Sequence, residues 1–232
     1  WLMHELTDSP LMLGMVPFTS LGPILILSMW GGVVADRVNR LKLVKITRGL
    51  FAALAILTGA LVITDLITPW QLLTISLATG VLLSFDIPSR QAIMPSLVGH
   101  AHLAGGIAMY SFVGTASAIL GGLFFAPLVN LAGIEGLFFI IGASYIATVL
   151  FLSMMKPLEV TQGPIRESPL RDLVEGLGYV RKNRVVLILI IMGFTVGVFA
   201  TPHSTLLPIY ADEILEGGVD AFGQLLLAAG VG

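Results

Sequence analysis

Residues 31–42 read Gly-Gly-Val-Val-Ala-Asp-Arg-Val-Asn-Arg-Leu-Lys and lie between two long apolar runs. This stretch holds the first dense cluster of charge in the chain, with one acid, Asp36, among the bases. Because each flanking run is long enough to cross a bilayer as a helix, the chain is predicted to leave a membrane here and to re-enter it at once. The small residues and the acid in so tight a basic turn indicate a role beyond membrane topology.

The composition excludes a soluble protein. The mean hydropathy is +0.96, and 56% of the residues are hydrophobic whereas 11% are charged. Soluble domains carry about 25% charged residues. The absence of cysteine excludes disulfides, thiolate metal sites and cysteine nucleophiles. Since the chain starts at Trp1 and stops within an apolar run at Gly232, we expect a fragment of a longer protein.

Hydropathy predicts the tail of a first membrane span followed by seven further spans, the last of them incomplete. The tail ends at residue 6, and the spans cover residues 11–35, 43–64, 71–87, 103–131, 137–155, 185–209 and 221–232. Pro17 and Pro23 predict a bend in the second span. A polar connection is expected over residues 89–102. Apolar residues at helical spacing over 170–180 predict an amphipathic helix on the membrane surface.

The charges divide cleanly between the two sides of the membrane. All 12 Lys and Arg residues fall in or beside the turns after the second, fourth and sixth spans, whereas the opposite turns carry only acids such as Asp65 and Glu135. Since basic loops stay cytoplasmic, the basic turns are predicted to face the cytoplasm of a bacterium, with the protein in its plasma (inner) membrane.

The basic turn resembles a known motif. Its pattern Gly-x-x-x-Asp-Arg-x-Asn-Arg-x-Lys over residues 32–42 is similar to G-x-x-x-D-R/K-x-G-R-R/K, which lies between the second and third helices of the major facilitator superfamily. There the motif latches the two halves of a transporter in the outward-facing state. The resemblance therefore assigns a gating role to five residues. They are Gly32, Asp36, Arg37, Arg40 and Lys42.

Elementary chemistry gives the same turn two interpretations. Gly31 and Gly32 leave room for a neighbouring helix to approach closely, and Asp36 can pair with a base or with the positive end of a helix. In the other interpretation the bases only set topology and Asp36 is a solvated cap. Asn39 replaces the usual glycine, a mild departure because Asn tolerates left-handed backbone angles. Leu41 replaces a common base.

A second resemblance covers residues 85–98. They read Phe-Asp-Ile-Pro-Ser-Arg-Gln-Ala-Ile-Met-Pro-Ser-Leu-Val and are similar to the segment after the fourth helix in the branch of enterobactin exporters and transmembrane secretion effectors. Asp86 and Arg90 form a predicted charge cluster there, with Asp36 expected nearby. Charges at a membrane boundary are rare enough to be functional candidates. The cluster serves either an intracellular gate or a structural salt bridge.

Two further patterns fall within the spans. Gly114, Ala118 and Gly122 place small residues on one face of the fifth span, which permits close helix packing. The stripe is similar to the fifth-helix glycine motif of proton-driven exporters, without its Gly-Pro pair, and packing alone also explains it.

In the seventh span, Pro202 breaks an apolar helix beside Thr201 and His203, a pattern typical of a transport cavity. His203 is a candidate proton carrier or substrate ligand, or it only hydrogen-bonds a neighbour. In the superfamily, helices one, four and seven surround the cavity, which makes Ser84 and Asp86 candidate cavity residues as well.

The sequence lacks the motifs that are typical of several functional classes. No phosphate-binding loop, HExxH motif or nucleophile–base pair is present, so no catalytic residue is predicted and an enzyme is not expected. His100 and His102 lack a third ligand, so no metal site is expected. No cofactor is predicted, and the proton gradient is the expected source of energy.

The sequence therefore predicts an all-α polytopic membrane protein, a piece of the major facilitator fold from the end of helix one to the start of helix eight of twelve. We expect an N-terminal six-helix bundle over residues 1–155, a cytoplasmic central loop over 156–183 and the start of a C-terminal bundle over 184–232. The expected function is multi-pass transmembrane transport by a secondary active antiporter, with proton-coupled efflux of a small amphipathic molecule such as a drug or siderophore. Alternatives are an importer or lipid flippase of the same fold, or a non-transporting scaffold or sensor. The expected partners are this small molecule and the lipid bilayer, without nucleic acid, and the protein is expected to be a monomer.

Overall fold

The computed structural model describes residues 1–7, 9–99, 102–155, 178–199 and 201–231, and every regular element in these ranges is a helix. The predicted all-α fold is confirmed. The elements are α1 (Leu2–Leu6), α2 (Pro10–Arg37), α3 (Arg40–Ile63), α4 (Pro69–Val98), α5 (Leu103–Met154), α6 (Arg184–Phe199), α7 (Thr201–Ile209), a π-helical turn (Tyr210–Ile214) and α8 (Gly218–Val231). The predicted amphipathic helix over 170–180 lies largely outside the described residues.

Four of the described helices are long and apolar enough to cross a membrane, namely α2, α3, α4 and α5. With 52 residues, α5 is far longer than the roughly 20 that one crossing requires. Its backbone leaves the helical conformation at Gly133, where φ is 72° and ψ is 172°. Residues near both ends of α5, among them Gly106 and Leu152, border one cavity. The helix therefore folds back at Gly133 into a hairpin that supplies the fifth and sixth predicted spans.

Local chemistry accounts for where the helices begin. The Asn39 side chain accepts a hydrogen bond of 3.0 Å from the Lys42 amide at the start of α3. Thr68 and Gln71 cap α4 reciprocally, and Pro69 occupies the first helical position. Each cap satisfies an amide that has no partner inside the helix. Asn39 has φ −63° and ψ 108°, an extended conformation, and acts as the N-cap of α3.

The fourth span is longer than its hydropathy predicted. The polar connection expected over residues 89–102 is wrong for its first ten residues, because α4 continues to Val98. The polar side chains in this turn find partners on the helix itself: the Ser89 hydroxyl donates to the Phe85 carbonyl at 2.6 Å, and Arg90 pairs with Asp86 one turn earlier. Pro88 lies inside the helix and removes only one backbone hydrogen bond.

The packing order follows from helix contacts. Helix α2 packs on α4, α3 packs on α4 and on the second half of α5, and α8 packs on the first half of α5. Many exposed side chains are apolar, as illustrated by Leu25 at 85% exposed and Phe18 at 73%. Several polar side chains are buried inside the helix pack instead, among them Thr58, Ser84, Asp86 and Ser89. Exposed apolar side chains and buried polar side chains are the distribution expected where lipid rather than water surrounds the helices.

Candidate functional site

Asp86 is the centre of a buried charge cluster on α4. Its side chain is 0% exposed, and its carboxylate accepts three hydrogen bonds from two helices. From α3, the Thr47 hydroxyl donates to Oδ1 at 2.8 Å and Arg48 Nη2 donates to Oδ2 at 2.9 Å. From one turn further along α4, Arg90 Nε donates to Oδ2 at 2.7 Å. We call these residues, together with Tyr110, the basic-end cluster.

Both carboxylate oxygens of Asp86 are hydrogen-bonded, and the described residues of the cluster carry more positive than negative charge. Two guanidinium groups face one carboxylate, and Arg90 Nη1 donates its remaining described bond to the neutral Tyr110 hydroxyl at 2.8 Å. The Arg48 guanidinium also lies over two aromatic rings, 5.8 Å from the Phe51 centroid and 5.4 Å from that of Tyr145. These rings attract the cation and restrict its orientation. The result is a rigid, positively charged site between α3, α4 and α5.

A cavity of about 460 Å³ adjoins this cluster. Arg48, Arg90 and Tyr110 lie on its wall together with apolar residues such as Leu41 and Ile93. We call it the basic-end cavity, because it lies at the end of the helix pack that carries Arg40, Arg48 and Arg90. It is large enough for a small molecule.

The predicted gating turn is only partly described. Gly31 is buried, and a Cβ there would overlap the Ser84 carbonyl oxygen of α4, so this glycine sets the closest approach of α2 and α4. Pro88 leaves that same carbonyl without a helical N–H donor. A Cβ on Gly32 would have no described neighbour within 4 Å, so within the described part of the chain the close approach is made at Gly31, and the role of Gly32 stays a prediction.

Of the four charged residues in this turn, the structure describes the side chains of Arg40 and Lys42. Arg40 Nη1 donates to the Ala92 carbonyl at 3.1 Å and so ties the start of α3 to α4. The Lys42 side chain is exposed, and its amide is the one that Asn39 caps. The side chains of Asp36 and Arg37 lie outside the described residues, as do those of Thr201 and His203. The structure therefore leaves the proposed roles of these four residues as predictions.

Ser84 does not lie on a cavity wall in the structure. It is 0% exposed, its hydroxyl donates to the Gly80 carbonyl at 2.9 Å, and its backbone contacts Gly31. The close approach of α2 covers Ser84 in this structure, and its interpretation as a cavity residue stays a prediction. Asp86 is likewise buried, and the side chains that donate hydrogen bonds to its carboxylate surround it.

The small-residue stripe of the fifth span packs against α8. A Cβ on Gly122 would lie 2.5 Å from the Leu227 amide nitrogen, and one on Gly230 would lie 3.2 Å from the Ala118 carbonyl carbon. Gly114 has no neighbour within 4 Å of the corresponding position. Two of the three predicted packing residues, Ala118 and Gly122, thus lie where the fifth span contacts α8.

The opposite end of the molecule, which we call the acidic end, is held by a second set of contacts. His4 Nε2 of α1 donates to Asp212 Oδ2 in the π-helical turn at 3.1 Å. Asn130 Nδ2 of α5 donates to Asp220 Oδ1 of α8 at 2.9 Å. The Trp1 and Phe222 rings lie 5.4 Å apart. These contacts join the first six spans to the elements after residue 184.

A second cavity, of about 450 Å³, lies beneath those contacts. We call it the acidic-end cavity. Its wall combines residues of the first six spans, such as Ser20 and Phe138, with residues of the later elements, such as Thr205, Pro208 and Phe222. Most of these side chains are apolar, which suits a ligand with an apolar body.

The sequence analysis did not identify several residues that form contacts at the basic end or at the acidic end of the helix pack. Arg48 was counted only as a topology charge, but α3 begins at Arg40 and places Arg48 about two turns inside the helix. A base that far into an apolar run was the available signal. His4, Tyr110 and Asp212 carried no local signal, since their partners lie on distant helices. Among the described residues, no group of three or more His, Asp or Glu side chains is arranged to hold a metal ion.

Several apolar helices long enough to cross a membrane, packed together around a buried charge cluster, define the chain as part of a multi-pass membrane protein. A family model described as transmembrane secretion effector matches residues 1–232, and the chain belongs to this family. The chain is also 25% identical, over 242 residues, to a protein of Staphylococcus aureus (strain NCTC 8325 / PS 47) described as a staphyloferrin A transporter. That alignment covers 100% of this chain and 58% of the relative, so the chain spans little more than half the length of that relative. No solved structure matches the chain.

Proposed function

We propose that this protein is a secondary active exporter that moves a small amphipathic molecule, a drug or a siderophore, out of the bacterial cytoplasm by alternating access. The proton gradient drives the exchange, the protein acts as a monomer in the plasma membrane, and its basic end faces the cytoplasm. The proposal is supported by the family membership and by the apolar helices long enough to cross a membrane.

The acidic-end cavity is the observation that carries this proposal. It is bounded by α1, α2, α4 and α5 on one side and by α7 and α8 on the other, so relative motion of these two sets of helices would change access to it. His4–Asp212 and Asn130–Asp220 close the acidic end between the same two sets. A cavity between two helix sets that are tied at one end is what alternating access requires.

Direction and cargo rest on the comparisons. The family description names secretion, which favours export over import. The Staphylococcus aureus relative is described as a staphyloferrin A transporter, which supports a siderophore as the cargo. The apolar wall of the acidic-end cavity favours a cargo with a substantial apolar body.

The proposed gate lies at the basic end. Gly32, Asp36, Arg37, Arg40 and Lys42 form the turn between α2 and α3, and Arg40 already connects that turn to α4. Asp36 is proposed to latch the basic end in one state of the transport cycle, with the basic-end cluster as the rigid platform beside it.

The test follows accumulation of siderophores, dyes and antibiotics in an efflux-deficient bacterium that expresses the full-length protein, with and without a protonophore. We expect cells that express the protein to accumulate less of at least one compound. The protonophore and the Asp36→Asn substitution are each expected to restore accumulation. Asp65→Asn is the matched control: Asp65 is exposed at the other end of α3 and has φ 53°, a conformation that Asn adopts readily.

Two results would contradict the proposal. Unchanged accumulation of every compound, from protein shown to reach the membrane, would exclude export of these classes, and increased accumulation would indicate import. Wild-type transport by the Asp36→Asn variant would remove Asp36 from the gate while leaving the export activity in place.

A further inference from the structure

The basic-end cavity has the volume and the wall composition of a ligand site. The proposed transport through the acidic-end cavity assigns it no function. Its volume of about 460 Å³ falls within the range of about 300–1,000 Å³ found for small-molecule sites. Its wall is mostly apolar, and its polar lining residues are Arg48, Arg90, Tyr110 and Thr148. The apolar part of the wall is formed by Leu41, Val44, Ile93, Met94, Leu97 and Leu152.

On the polar side of the cavity, the described residues carry one more positive charge than negative charge. Among the described residues, Asp86 is the one carboxylate that pairs with Arg48 and Arg90, and it binds both. The described hydrogen bonds use Nη2 of Arg48 and use Nε and Nη1 of Arg90. The described part of the chain supplies no further acceptor to Nε and Nη1 of Arg48 or to Nη2 of Arg90, so these groups remain able to donate to a ligand.

The surroundings strengthen this charge. The side chains of Arg48 and Arg90 are only 16% and 31% exposed, in a wall that is otherwise apolar. A charge in such surroundings interacts more strongly with an opposite charge than it does in water. The rings of Phe51 and Tyr145 hold the Arg48 guanidinium in place, which lowers the entropy that a ligand would otherwise have to remove.

We propose that the basic-end cavity binds an amphipathic anion: a carboxylate or phosphate that accepts hydrogen bonds from Arg48 and Arg90, attached to an apolar chain or ring that packs on Leu41, Ile93 and Leu152. A planar guanidinium matches both anions in geometry. The apolar wall explains why the anion is amphipathic, since a fully hydrated anion would leave that wall uncovered. The proposal stands whichever way the protein transports its cargo.

The test measures binding of dansylundecanoate to the full-length protein in phosphatidylcholine nanodiscs, by the rise in dansyl fluorescence, with empty nanodiscs as background. The methyl ester of the probe is the matched ligand, because it keeps the apolar body and loses the charge. We expect saturable binding of the acid that is at least about tenfold tighter than that of the ester, the order that a hydrogen bond to a charged group contributes.

Two variants locate the site. Arg48→Gln removes the charge, and Leu152→Trp fills the apolar part of the cavity without touching the cluster; each is expected to weaken binding of the acid at least about tenfold. Lys45→Gln is the control, because Lys45 lies on the same helix, carries the same charge and lines neither cavity. If Arg48→Gln fails to fold, binding of the acid to the Leu152→Trp variant tests the proposal by itself. Equal binding of acid and ester, or wild-type binding by both variants, would overturn the proposal.

Lipid composition distinguishes the two sources of such an anion. If nanodiscs that contain phosphatidylglycerol compete with dansylundecanoate, the natural ligand is an anionic membrane lipid. If they do not compete and the probe still requires Arg48, the ligand is a free carboxylate or phosphate from the cytoplasm. Both results support the site.

Discussion

Arg48 Nη2 and Asp86 Oδ2 lie 2.9 Å apart although the two residues are 38 positions apart in the chain. The pair joins α3 to α4 at a position where neither side chain meets bulk water freely. Arg90 shares the same carboxylate oxygen at 2.7 Å, so a single acid holds two cations in place. The stability of this end of the helix pack therefore depends strongly on the charge of Asp86.

Asp86→Asn is expected to lower the free energy of unfolding by about 3 kcal/mol, since it leaves two poorly hydrated guanidinium groups without a counter-charge. Thermal unfolding of the purified protein in detergent, followed by circular dichroism, measures the change. Asp65→Asn, which alters an exposed acid, should unfold at the wild-type temperature. Equal unfolding temperatures for Asp86→Asn and the wild type would show that the cluster contributes nothing to stability.

Gly31→Ala and Gly32→Ala form a matched pair of neighbouring substitutions. A Cβ at position 31 overlaps the Ser84 backbone, which cannot move away as a flexible side chain would, so we expect a loss of about 1–3 kcal/mol. Position 32 is open, so alanine there should be neutral or should stabilise the helix by up to about 1 kcal/mol. Thermal unfolding ranks the two variants. The reverse order would mean that α2 and α4 do not cross at Gly31.

Asp212→Asn is expected to loosen the acidic end, because it weakens the hydrogen bond that His4 donates. The chain has no cysteine, so a single Ser20→Cys substitution reports on the acidic-end cavity that Ser20 lines. We expect a membrane-impermeant maleimide to label this cysteine several-fold faster when Asp212→Asn is also present.

Glu213→Gln is the control for that experiment. Glu213 neighbours Asp212 in the π-helical turn, is exposed, and has no hydrogen bond or ion pair among the described contacts. Its substitution should leave the labelling rate unchanged. Equal rates in the Asp212→Asn and Glu213→Gln backgrounds would show that His4 and Asp212 do not restrict access.

Gly122→Val and Gly121→Val test the packing of α5 on α8. A side chain at position 122 would meet the backbone of Leu226 and Leu227, whereas position 121 is open. Gly122→Val should therefore separate the two helices and reduce transport, and Gly121→Val should reduce it much less. Disulfide formation between cysteines placed at Ala118 and Gly230 measures the separation directly. Efficient cross-linking in the Gly122→Val background would refute the close approach.

Much of the fold followed from the sequence because membrane spans obey simple physical requirements. About 20 apolar residues are needed to cross a bilayer, and the second, third, fifth and sixth spans came out close to their predicted limits. A turn was expected between the spans that end at residue 131 and begin at residue 137; the break lies at Gly133, whose φ of 72° is a conformation that glycine adopts without strain. The continuation of α4 to Val98 was missed because polar residues indicate an exit from the membrane unless they find partners within the helix pack.

By itself the sequence determined the all-helical membrane class, the order of the spans, the separation of basic from acidic turns and the family. Each of these depends on composition or on a local pattern along the chain. Only the tertiary structure decided that Arg48 shares Asp86 with Arg90, that Gly31 rather than Gly32 admits α4, and that His4 reaches Asp212. The physical reason is that these contacts depend on how helices rotate and cross, and the rotation is set by the packing of all the neighbours at once.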